Sequence, residues 1–274
     1  MYKILYNISM KVGVYCNRSS NKFIPIREEL FRCLKEKKIV PKVCDDLSDL
    51  DVDVLIVLGG DGTILKAAIE AGRSGIRLLG INAGTLGFLS EFEGEQVGEA
   101  VELLCSGFET EKRSVLQVSV GGKDYYALND AVFQRSYNPS ADDNVVNIHV
   151  RIDGKTVDHF VGDGVIVSTP TGSTAYSLSA GGSILTPDIA AFILTPVCAH
   201  SLHNRPIVYA DMSVLAIHAE AGPGLTLCCD GRYECTLQPK ETAILKRADF
   251  SVEFIKGSNN FFDKLLSKLT KWSK

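Results

Sequence analysis

A buried strand, a glycine-rich turn and the start of a helix follow one another in the first third of the chain. The strand is the apolar run Val54–Leu58, the turn is Gly59-Gly60-Asp61-Gly62-Thr63, and the helix starts with Ile64–Ala68. This order is typical of a parallel α/β sheet, in which ligands bind at the carboxyl ends of the strands. Glycines in such a turn allow a positive φ and let a ligand approach the backbone amides. The free N–H groups and the dipole of the helix then favour phosphate.

Asp61 is unexpected in a turn that binds phosphate, because a carboxylate repels the ligand. It has a purpose if it contacts a magnesium ion or accepts a proton from an attacking hydroxyl. Strand, anion site and acid together predict phosphoryl transfer. The alternative is that Asp61 only caps the following helix through an Asx turn, and the local sequence does not decide between the two.

The bulk properties exclude several classes of protein. The 274 residues are 45% hydrophobic and 23% charged, which is typical of a soluble globular protein of one large or two ordinary domains. A net charge of -4 leaves no large basic patch for nucleic acid, and no apolar stretch is long enough to span a membrane. The eight cysteines are scattered without a C-x-x-C pair, so we expect reduced thiols and a cytoplasmic protein.

The pattern of predicted elements changes near residue 108. Before it, strands alternate with helices, which predicts a parallel α/β sheet. After it, short strands separated by turn signals predict a mostly antiparallel β domain, with one strand over 125–134 and separate strands over 242–245 and 250–255. A helix over 260–272 has one apolar face, which we expect to pack on the protein core rather than on a membrane. The expected parts are therefore 1–108, an α/β domain; 109–256, a β-rich domain; and 257–274, a C-terminal helix.

Three further segments carry residues suited to a binding site. Gly80–Leu89 contains three glycines and follows a predicted strand, so it is either a second loop beside Asp61 or an ordinary β–α connection. Asn129 and Asp130 are poor strand residues inside a predicted strand. They could read a base edge or ribose hydroxyls, or they could mark a bulge or a strand end.

The segment from Ser168 to Ser183 holds eight Ser or Thr in sixteen positions and no Lys or Arg. A site that binds phosphates by charge would contain cations, so these hydroxyls suit sugar hydroxyls and heterocycle edges better. Tyr176 could stack on a base. The alternative is a polar surface loop, but the attachment to the apolar run Val165–Val167 favours a site.

Six motifs occur in the order Gly59–Thr63, Gly80–Leu89, Ala127–Asp130, Gly162–Gly182, His200–Val208 and Cys229–Gly231. Together they resemble the NAD kinase family over roughly residues 52 to 235. The first is weak alone, because phosphofructokinases and lipid kinases share it, whereas the hydroxyl-rich segment is much more specific. No Walker P-loop, G-x-S-x-G elbow or G-x-G-x-x-G fingerprint points elsewhere.

The resemblance implies an N-terminal Rossmann-like α/β domain, a C-terminal antiparallel β-sandwich-like domain and a last helix that returns to the first domain. The enzyme would transfer the γ-phosphoryl group of ATP to the 2′-hydroxyl of the adenosine ribose of NAD, giving NADP. It would need Mg²⁺ or another divalent cation, and it would form a homodimer or a homotetramer. No nucleic-acid or membrane partner is expected.

The resemblance also implies a role for each matching residue. Asp61 corresponds to the catalytic aspartate, Gly60 and Gly62 shape its loop, and Asp230 corresponds to an acidic residue that approaches from a neighbouring subunit in some members. Residues 1–9 precede the family's usual first strand and are expected to be dispensable. The remaining residues expected to contact the dinucleotide are Asn129, Asp130, Asp163, Thr171, Thr174, Ala175, Tyr176 and Ser179.

Overall fold

The chain folds into two compact units. One unit runs up to Lys112 and resumes at Ser251, and the other comprises Arg113–Phe250; we call them the first and the second unit. The structure divides the chain after Lys112 and after Phe250, whereas the sequence placed the bounds after residues 108 and 256. The computed structural model describes residues 10–16, 21–48, 50–84, 87–136, 145–200, 205–220 and 224–272. Residues 1–9, positions 85–86 of the motif Gly80–Leu89 and positions 201–204 of the motif His200–Val208 lie outside it.

The first unit is built on a parallel sheet. The central strand β3 is buried at all five positions, as expected for a strand that helices cover on both faces. Its neighbours give the order β4-β3-β1-β2, and each pair is parallel. The elements are β1 (Val12–Cys16), α1 (Phe23–Glu36), β2 (Lys42–Val43), β3 (Val54–Leu58), α2 (Asp61–Arg73), β4 (Arg77–Asn82), β5 (Phe92–Glu93) and α3 (Val97–Ser106).

Helices α1 and α3 share one hydrophobic core with this sheet. Leu30 and Leu34 of α1 and Leu104 of α3 are fully buried there beside Ile56 of β3. The apolar spacing of α1 follows the helical period, which places its buried residues on one face. A short 3-10 turn, Gly94–Gln96, leads into α3.

The second unit contains two antiparallel sheets that enclose a single core. The sheet orders are β10-β9-β14-β17 and β13-β12-β11-β8-β15-β16. Phe133, Phe192 and Leu227 from the second sheet pack in one cluster with Phe160 and Leu215 from the first. The elements are β6 (Glu109–Val120), β7 (Lys123–Ala127), β8 (Asp130–Arg135), β9 (Val146–Ile152), β10 (Lys155–Gly162), β11 (Gly164–Ser168), α4 (Tyr176–Ser179), β12 (Ala191–Val197), β13 (Ile207–Ala210), β14 (Leu215–Ala219), β15 (Leu225–Cys229), β16 (Arg232–Leu237) and β17 (Ala243–Lys256).

Two strand predictions in this half of the chain are wrong. The single strand predicted over 125–134 is two strands, because the backbone N–H groups of residues 128–130 bind the Asp230 carboxylate and leave the ladder. The two strands predicted over 242–245 and 250–255 are one strand, β17. Strands β10, β12 and β16 were not predicted; β12 contains Pro196, a residue that disfavours strands.

The last helix, α5 (Phe261–Trp272), belongs to the first unit. This confirms the fold expected from the motifs: an α/β domain, an antiparallel β-sandwich-like domain, and a C-terminal helix that returns to the first of them. The expectation that the apolar face of α5 packs on the core is wrong for Phe262, Leu266 and Leu269, whose side chains are exposed. Within the described ranges, no helix has the length and apolar character needed to cross a membrane.

Candidate functional site

Asp61 is the first residue of α2, directly after the carboxyl end of β3. Gly60 is the N-cap of this helix, and no side chain caps it. The Asp61 carboxylate turns instead toward the loop after β4. Its Oδ2 accepts a hydrogen bond from the Phe88 N–H at 3.0 Å, and its Oδ1 accepts one from the Leu89 N–H at 3.2 Å. The Asx-turn alternative is therefore wrong, because the carboxylate binds a second loop rather than its own helix.

The glycines of the turn provide space rather than unusual dihedral angles. Gly60 has a φ of −75°, and the residues with positive φ do not include Gly59 or Gly62, so the expectation of a positive φ here is wrong. A Cβ at Gly59 would lie 2.4 Å from the Thr63 side chain. A Cβ at Gly62 would meet no described heavy atom within 4 Å, so the start of α2 is open to a ligand on that side.

Asn129 and Asp130 lie at the junction of β7 and β8. They therefore mark a strand end, which is one of the two possibilities that the sequence left open. The Asp230 carboxylate of the neighbouring β15–β16 turn accepts the backbone N–H groups of Leu128, Asn129 and Asp130 at 2.8, 2.7 and 3.2 Å. On its other side, the Asn129 carbonyl accepts the Thr169 N–H at 2.9 Å. The Asn129 backbone is thus fixed from two directions while its side chain remains partly exposed.

The carboxyl groups of Asp130 and Asp230 lie close enough at this strand junction for their charges to interact. Burial raises the pKa of Asp130 to about 7, and the charge of Asp230 contributes to this shift. Burial also raises the pKa of Asp230, although the three N–H donors favour its ionised form and oppose the shift. Because Asp230 has these donors, Asp130 is the group that takes up a proton first as the pH falls through about 7.

Most hydroxyls of the Ser168–Ser183 segment point inward. The hydroxyls of Ser168, Thr169, Ser173 and Ser177 belong to fully buried residues and bind protein atoms: Thr169 Oγ1 donates to the Leu128 carbonyl at 2.5 Å, and Ser177 Oγ lies 2.9 Å from Thr195 Oγ1. The interpretation of this segment as a row of ligand-binding hydroxyls is thus wrong for these four. They fold the segment onto the end of β11.

The other predicted residues of the segment divide into an inner and an outer group. Thr171 and Thr174 are buried, and Thr174 Oγ1 bonds back to the Thr171 carbonyl at 3.4 Å. Ala175 is partly buried, whereas Tyr176 and Ser179 of α4 are exposed. Tyr176 keeps 40% of its surface accessible, and its hydroxyl accepts a hydrogen bond from Gln134 Nε2 at 3.2 Å. Stacking of Tyr176 on a base stays a prediction, and the partial exposure of its side chain is compatible with it.

Asp163 lies at the opposite end of β11 from Ser168. Its carboxylate pairs with Arg135 at 3.1 Å. In the register of β8 and β11, Gly164 is opposite Gln134, and Ser168 is opposite Asp130. The structure thus places Asp163 and Tyr176 near one end of these strands and the Asn129–Asp130 pair at the other, a separation that spacing along the chain did not reveal.

Sequence reasoning missed several residues around these sites. Gly87, Phe88 and Leu89 belong to the motif Gly80–Leu89, but nothing in the sequence indicates that two of their amides bind Asp61. Arg113 Nη1 donates to Thr171 Oγ1 at 3.4 Å, so a cation reaches a segment that has none of its own. Arg113 is 58 positions away in the chain, and no sequence pattern connects the two residues.

The residues present fit a magnesium ion that arrives with a nucleotide. Within the described part of the chain, no group of three or more His, Cys, Asp or Glu side chains forms a metal cage. Mg²⁺ does not require one, because it keeps several waters and binds through one or two carboxylates plus substrate phosphates. Each Asp61 oxygen accepts one N–H group here and has lone-pair capacity left for such a contact.

Both halves of the chain match known protein families. Residues 35–108 match the ATP-NAD kinase N-terminal domain, and residues 132–257 match the ATP-NAD kinase C-terminal domain. The NAD kinase of Bacteroides fragilis is 38% identical over 257 residues, which cover 90% of this chain and 87% of that protein. The NAD kinase of Carboxydothermus hydrogenoformans is 36% identical over 247 residues, covering 85% and 87%.

Solved structures agree with the fold. The NAD kinase of Archaeoglobus fulgidus in complex with ATP superposes with a TM-score of 0.80 at 25% identity, covering 95% of this chain and 99% of that one. Yeast NADH kinase complexed with NADH superposes with a TM-score of 0.83 at 24% identity, covering 96% and 89%. The second likeness concerns the fold alone.

Proposed function

The chain belongs to the ATP-NAD kinase family, and we propose that Asp61 is the general base of its reaction. The reaction is the transfer of the γ-phosphoryl group of ATP to the 2′-hydroxyl of the adenosine ribose of NAD, giving NADP. A ribose hydroxyl is a poor nucleophile at neutral pH, so a carboxylate within hydrogen-bond reach assists its attack. The observation that carries this assignment is the carboxylate of Asp61, which two loop amides hold at the start of α2 although α2 does not use it as a cap.

The start of α2 is the proposed site for the phosphates of ATP. Gly60 and Gly62 leave the first amides of this 13-residue helix accessible, and the helix dipole favours negative charge there. A divalent cation, Mg²⁺ in the first instance, would enter with ATP and contact Asp61. When bound, it would neutralise charge on the transferring phosphoryl group. The protein's own contribution is to keep the Asp61 carboxylate fixed and free of a capping bond.

In the second unit, Asn129 and Asp130 are proposed to bind the dinucleotide. Asp230 fixes the backbone of this pair, so the Asn129 side chain is presented without a loss of backbone entropy on binding. Because the pKa of Asp130 is raised to about 7, its protonated form is present up to neutral pH and can donate a hydrogen bond as well as accept one. Asp163, Thr171, Thr174, Ala175, Tyr176 and Ser179 complete the proposed contact set.

We also propose that the enzyme forms a homodimer or a homotetramer and works in the cytoplasm. All eight cysteines are free thiols, which suits a reducing compartment. The family resemblance supports the oligomer. Multi-angle light scattering on the purified chain measures its mass directly, and a monomer at micromolar concentration would contradict the proposed assembly.

The assay that tests the function uses the intact protein with Mg-ATP and NAD. An NADP-specific dehydrogenase then reports the NADP formed. Parallel reactions replace NAD with NADH, a diacylglycerol or a sugar phosphate, because other kinases share the Gly-Gly-Asp-Gly-Thr turn. NADP formation that Asp61→Asn abolishes supports the proposal. Binding of NAD without turnover would identify a dinucleotide sensor, and turnover of a lipid or a sugar phosphate alone would identify another kinase.

A further inference from the structure

A buried ion pair joins the C-terminal helix α5 to the loop of residues 87–91, whose amides bind the Asp61 carboxylate. Lys264 Nζ of α5 and Glu91 Oε2, at the end of the loop, lie 2.6 Å apart, and the two side chains are only 10% and 9% exposed. Lys264 Nζ also donates to the Ser90 carbonyl at 3.0 Å. Burying a charged side chain costs free energy unless the charge is paired and hydrogen-bonded. Lys264 and Glu91 meet both conditions.

Glu91 binds the chain leading into α5 as well. Its Oε1 accepts the N–H groups of Gly257 and Asn259 at 2.9 and 3.2 Å, and its backbone carbonyl accepts Asn259 Nδ2 at 3.1 Å. The Phe261 ring of α5 lies 6.4 Å from the Phe88 ring, centroid to centroid. The C-terminal segment therefore contacts the loop at Phe88, Ser90 and Glu91.

The same loop holds the proposed base. Phe88 and Leu89 donate their N–H groups to Asp61, and Gly87 N–H donates to Ser90 Oγ at 2.7 Å. Ser90, whose carbonyl accepts from Lys264, is thus bonded inside the turn that presents these amides. Hydrogen bonds and the short backbone segment between them thus connect Lys264, through Ser90 and the Gly87–Leu89 turn, to the Asp61 carboxylate.

We propose that Lys264 and Glu91 are positioning residues for Asp61, and that the C-terminal helix sets the activity of the enzyme through the loop of residues 87–91. The pair contacts no reacting atom; it fixes the loop whose amides orient the carboxylate. A misplacement of a catalytic group by about 1 Å can cost on the order of 10²-fold in rate, so a loosened loop has a large effect on turnover. This proposal rests on the proposed role of Asp61.

The test compares Lys264→Met with Lys268→Met. Lys268 lies one turn further along α5 and forms no ion pair with the described residues, so the same substitution there is a matched control. Lys264→Met should lower kcat by roughly 10-fold or more, with KM for ATP and NAD changed much less. Lys264→Gln, which can still donate to the Ser90 carbonyl, should recover part of the rate. Hydrogen exchange of the peptide containing residues 87–91 should accelerate in Lys264→Met and not in Lys268→Met.

A double-mutant comparison separates positioning from general damage. In an Asp61→Asn background, Lys264→Met should lower the residual rate by less than about twofold, because residues that act as a unit are not additive. A full additional loss in that background would overturn the proposal, as would an unchanged kcat in Lys264→Met. If Lys264→Met does not fold, the comparison of Lys264→Gln with wild type decides by the same criteria. Failure of the proposed function would be visible separately, because wild type would then form no NADP or Asp61→Asn would keep its rate.

Discussion

Gly87 and Asp61 are packed so closely that a Cβ atom at residue 87 would lie 1.9 Å from Asp61 Oδ1. With a side chain at position 87, the loop could not come close enough for its amides to bind the Asp61 carboxylate. Gly87 does not have a positive φ, so this requirement is one of space and not of backbone conformation. The motifs Gly59–Thr63 and Gly80–Leu89 thus belong to one arrangement of residues. The turn after β3 contains the acid, and the loop after β4 orients its carboxylate.

Gly87→Ala should lower kcat by at least about 10-fold, because the new methyl group must displace either the carboxylate or the loop. The fold should survive, since no backbone strain is introduced. Steady-state kinetics and a thermal melt measure the two effects. Gly98→Ala in α3 is the control, because a Cβ there meets no described atom within 4 Å. Equal activity of the two variants would show that the position of the Asp61 carboxylate does not limit turnover.

Asp61→Asn should reduce kcat by about 10²-fold or more, which is the scale of a lost general base. NAD binding should persist, because no described hydrogen bond links Asp61 to the residues proposed to bind the dinucleotide. The amide nitrogen of Asn cannot accept an N–H group, so one of the two loop bonds is also lost. Titration calorimetry with NAD beside steady-state kinetics measures both quantities. An unchanged kcat would remove Asp61 from the mechanism.

Local patterns predicted the first unit better than the second. The strand Val54–Leu58 and helix α2 follow from an apolar run and a glycine turn, which are short-range features. The break between β7 and β8 depends on Asp230, about a hundred residues later, so no window over 125–134 contains its cause. The same holds for the four buried hydroxyls, since a hydroxyl that binds a ligand and one that binds a carbonyl look alike in a sequence.

The sequence alone was enough to propose Asp61 as a catalytic candidate, whereas its hydrogen-bond partners could be identified only from the structure. A carboxylate in a phosphate-binding turn is anomalous on electrostatic grounds alone. Its partners, the amides of Phe88 and Leu89, are backbone groups that every residue has, so no residue type marks them. The ion pair of Lys264 and Glu91 could not be predicted either, because helix α5 contains three lysines and nothing in the sequence shows that Lys264 is buried against Glu91.

Asp130→Asn should stabilise the protein at high pH and not at low pH. The pKa of Asp130 is about 7 in the folded protein and 3.8 ordinarily, so the folded state holds the extra proton between these values. The unfolding free energy of wild type therefore falls as pH rises from about 4 to 7, and Asn, which has no proton to lose, removes that fall. Urea unfolding at pH 5 and pH 8 should show a gain of at least about 1 kcal/mol at pH 8 relative to pH 5. A difference between variant and wild type that does not change with pH would contradict the shift.

Asn129→Ala should raise KM for NAD much more than KM for ATP. Removing one partner leaves a polar group of the ligand unpaired, which costs about 1–3 kcal/mol, and 1.4 kcal/mol corresponds to a tenfold change in affinity. The backbone of residue 129 stays fixed by Asp230 and Thr169, so the variant should fold normally. Initial rates with each substrate varied in turn measure the effect. An equal rise in both Michaelis constants would indicate damage beyond the dinucleotide contact.

Asp230→Ala should weaken NAD binding although the Asp230 carboxylate is already occupied by its own chain. Three backbone N–H groups at residues 128–130 lose their acceptor, so the segment that presents Asn129 becomes free to move. The variant also places alanine at a φ of +49°, which by itself costs about 1–2 kcal/mol. Asp230→Asn keeps one acceptor oxygen and tolerates this φ, so it should recover part of the affinity.

Asp153→Ala is the control for that backbone strain. Asp153 also has a φ of +49°, precedes a glycine in a tight turn and binds a backbone amide, that of Val214, at 3.0 Å. Both alanine variants should lose similar stability from the turn itself, whereas only Asp230→Ala should raise KM for NAD, by roughly 10-fold. The kinetic comparison isolates the positioning of Asn129. If Asp153→Ala raised KM for NAD as much, the effect would belong to turn strain, and Asp230 would have no particular role in binding.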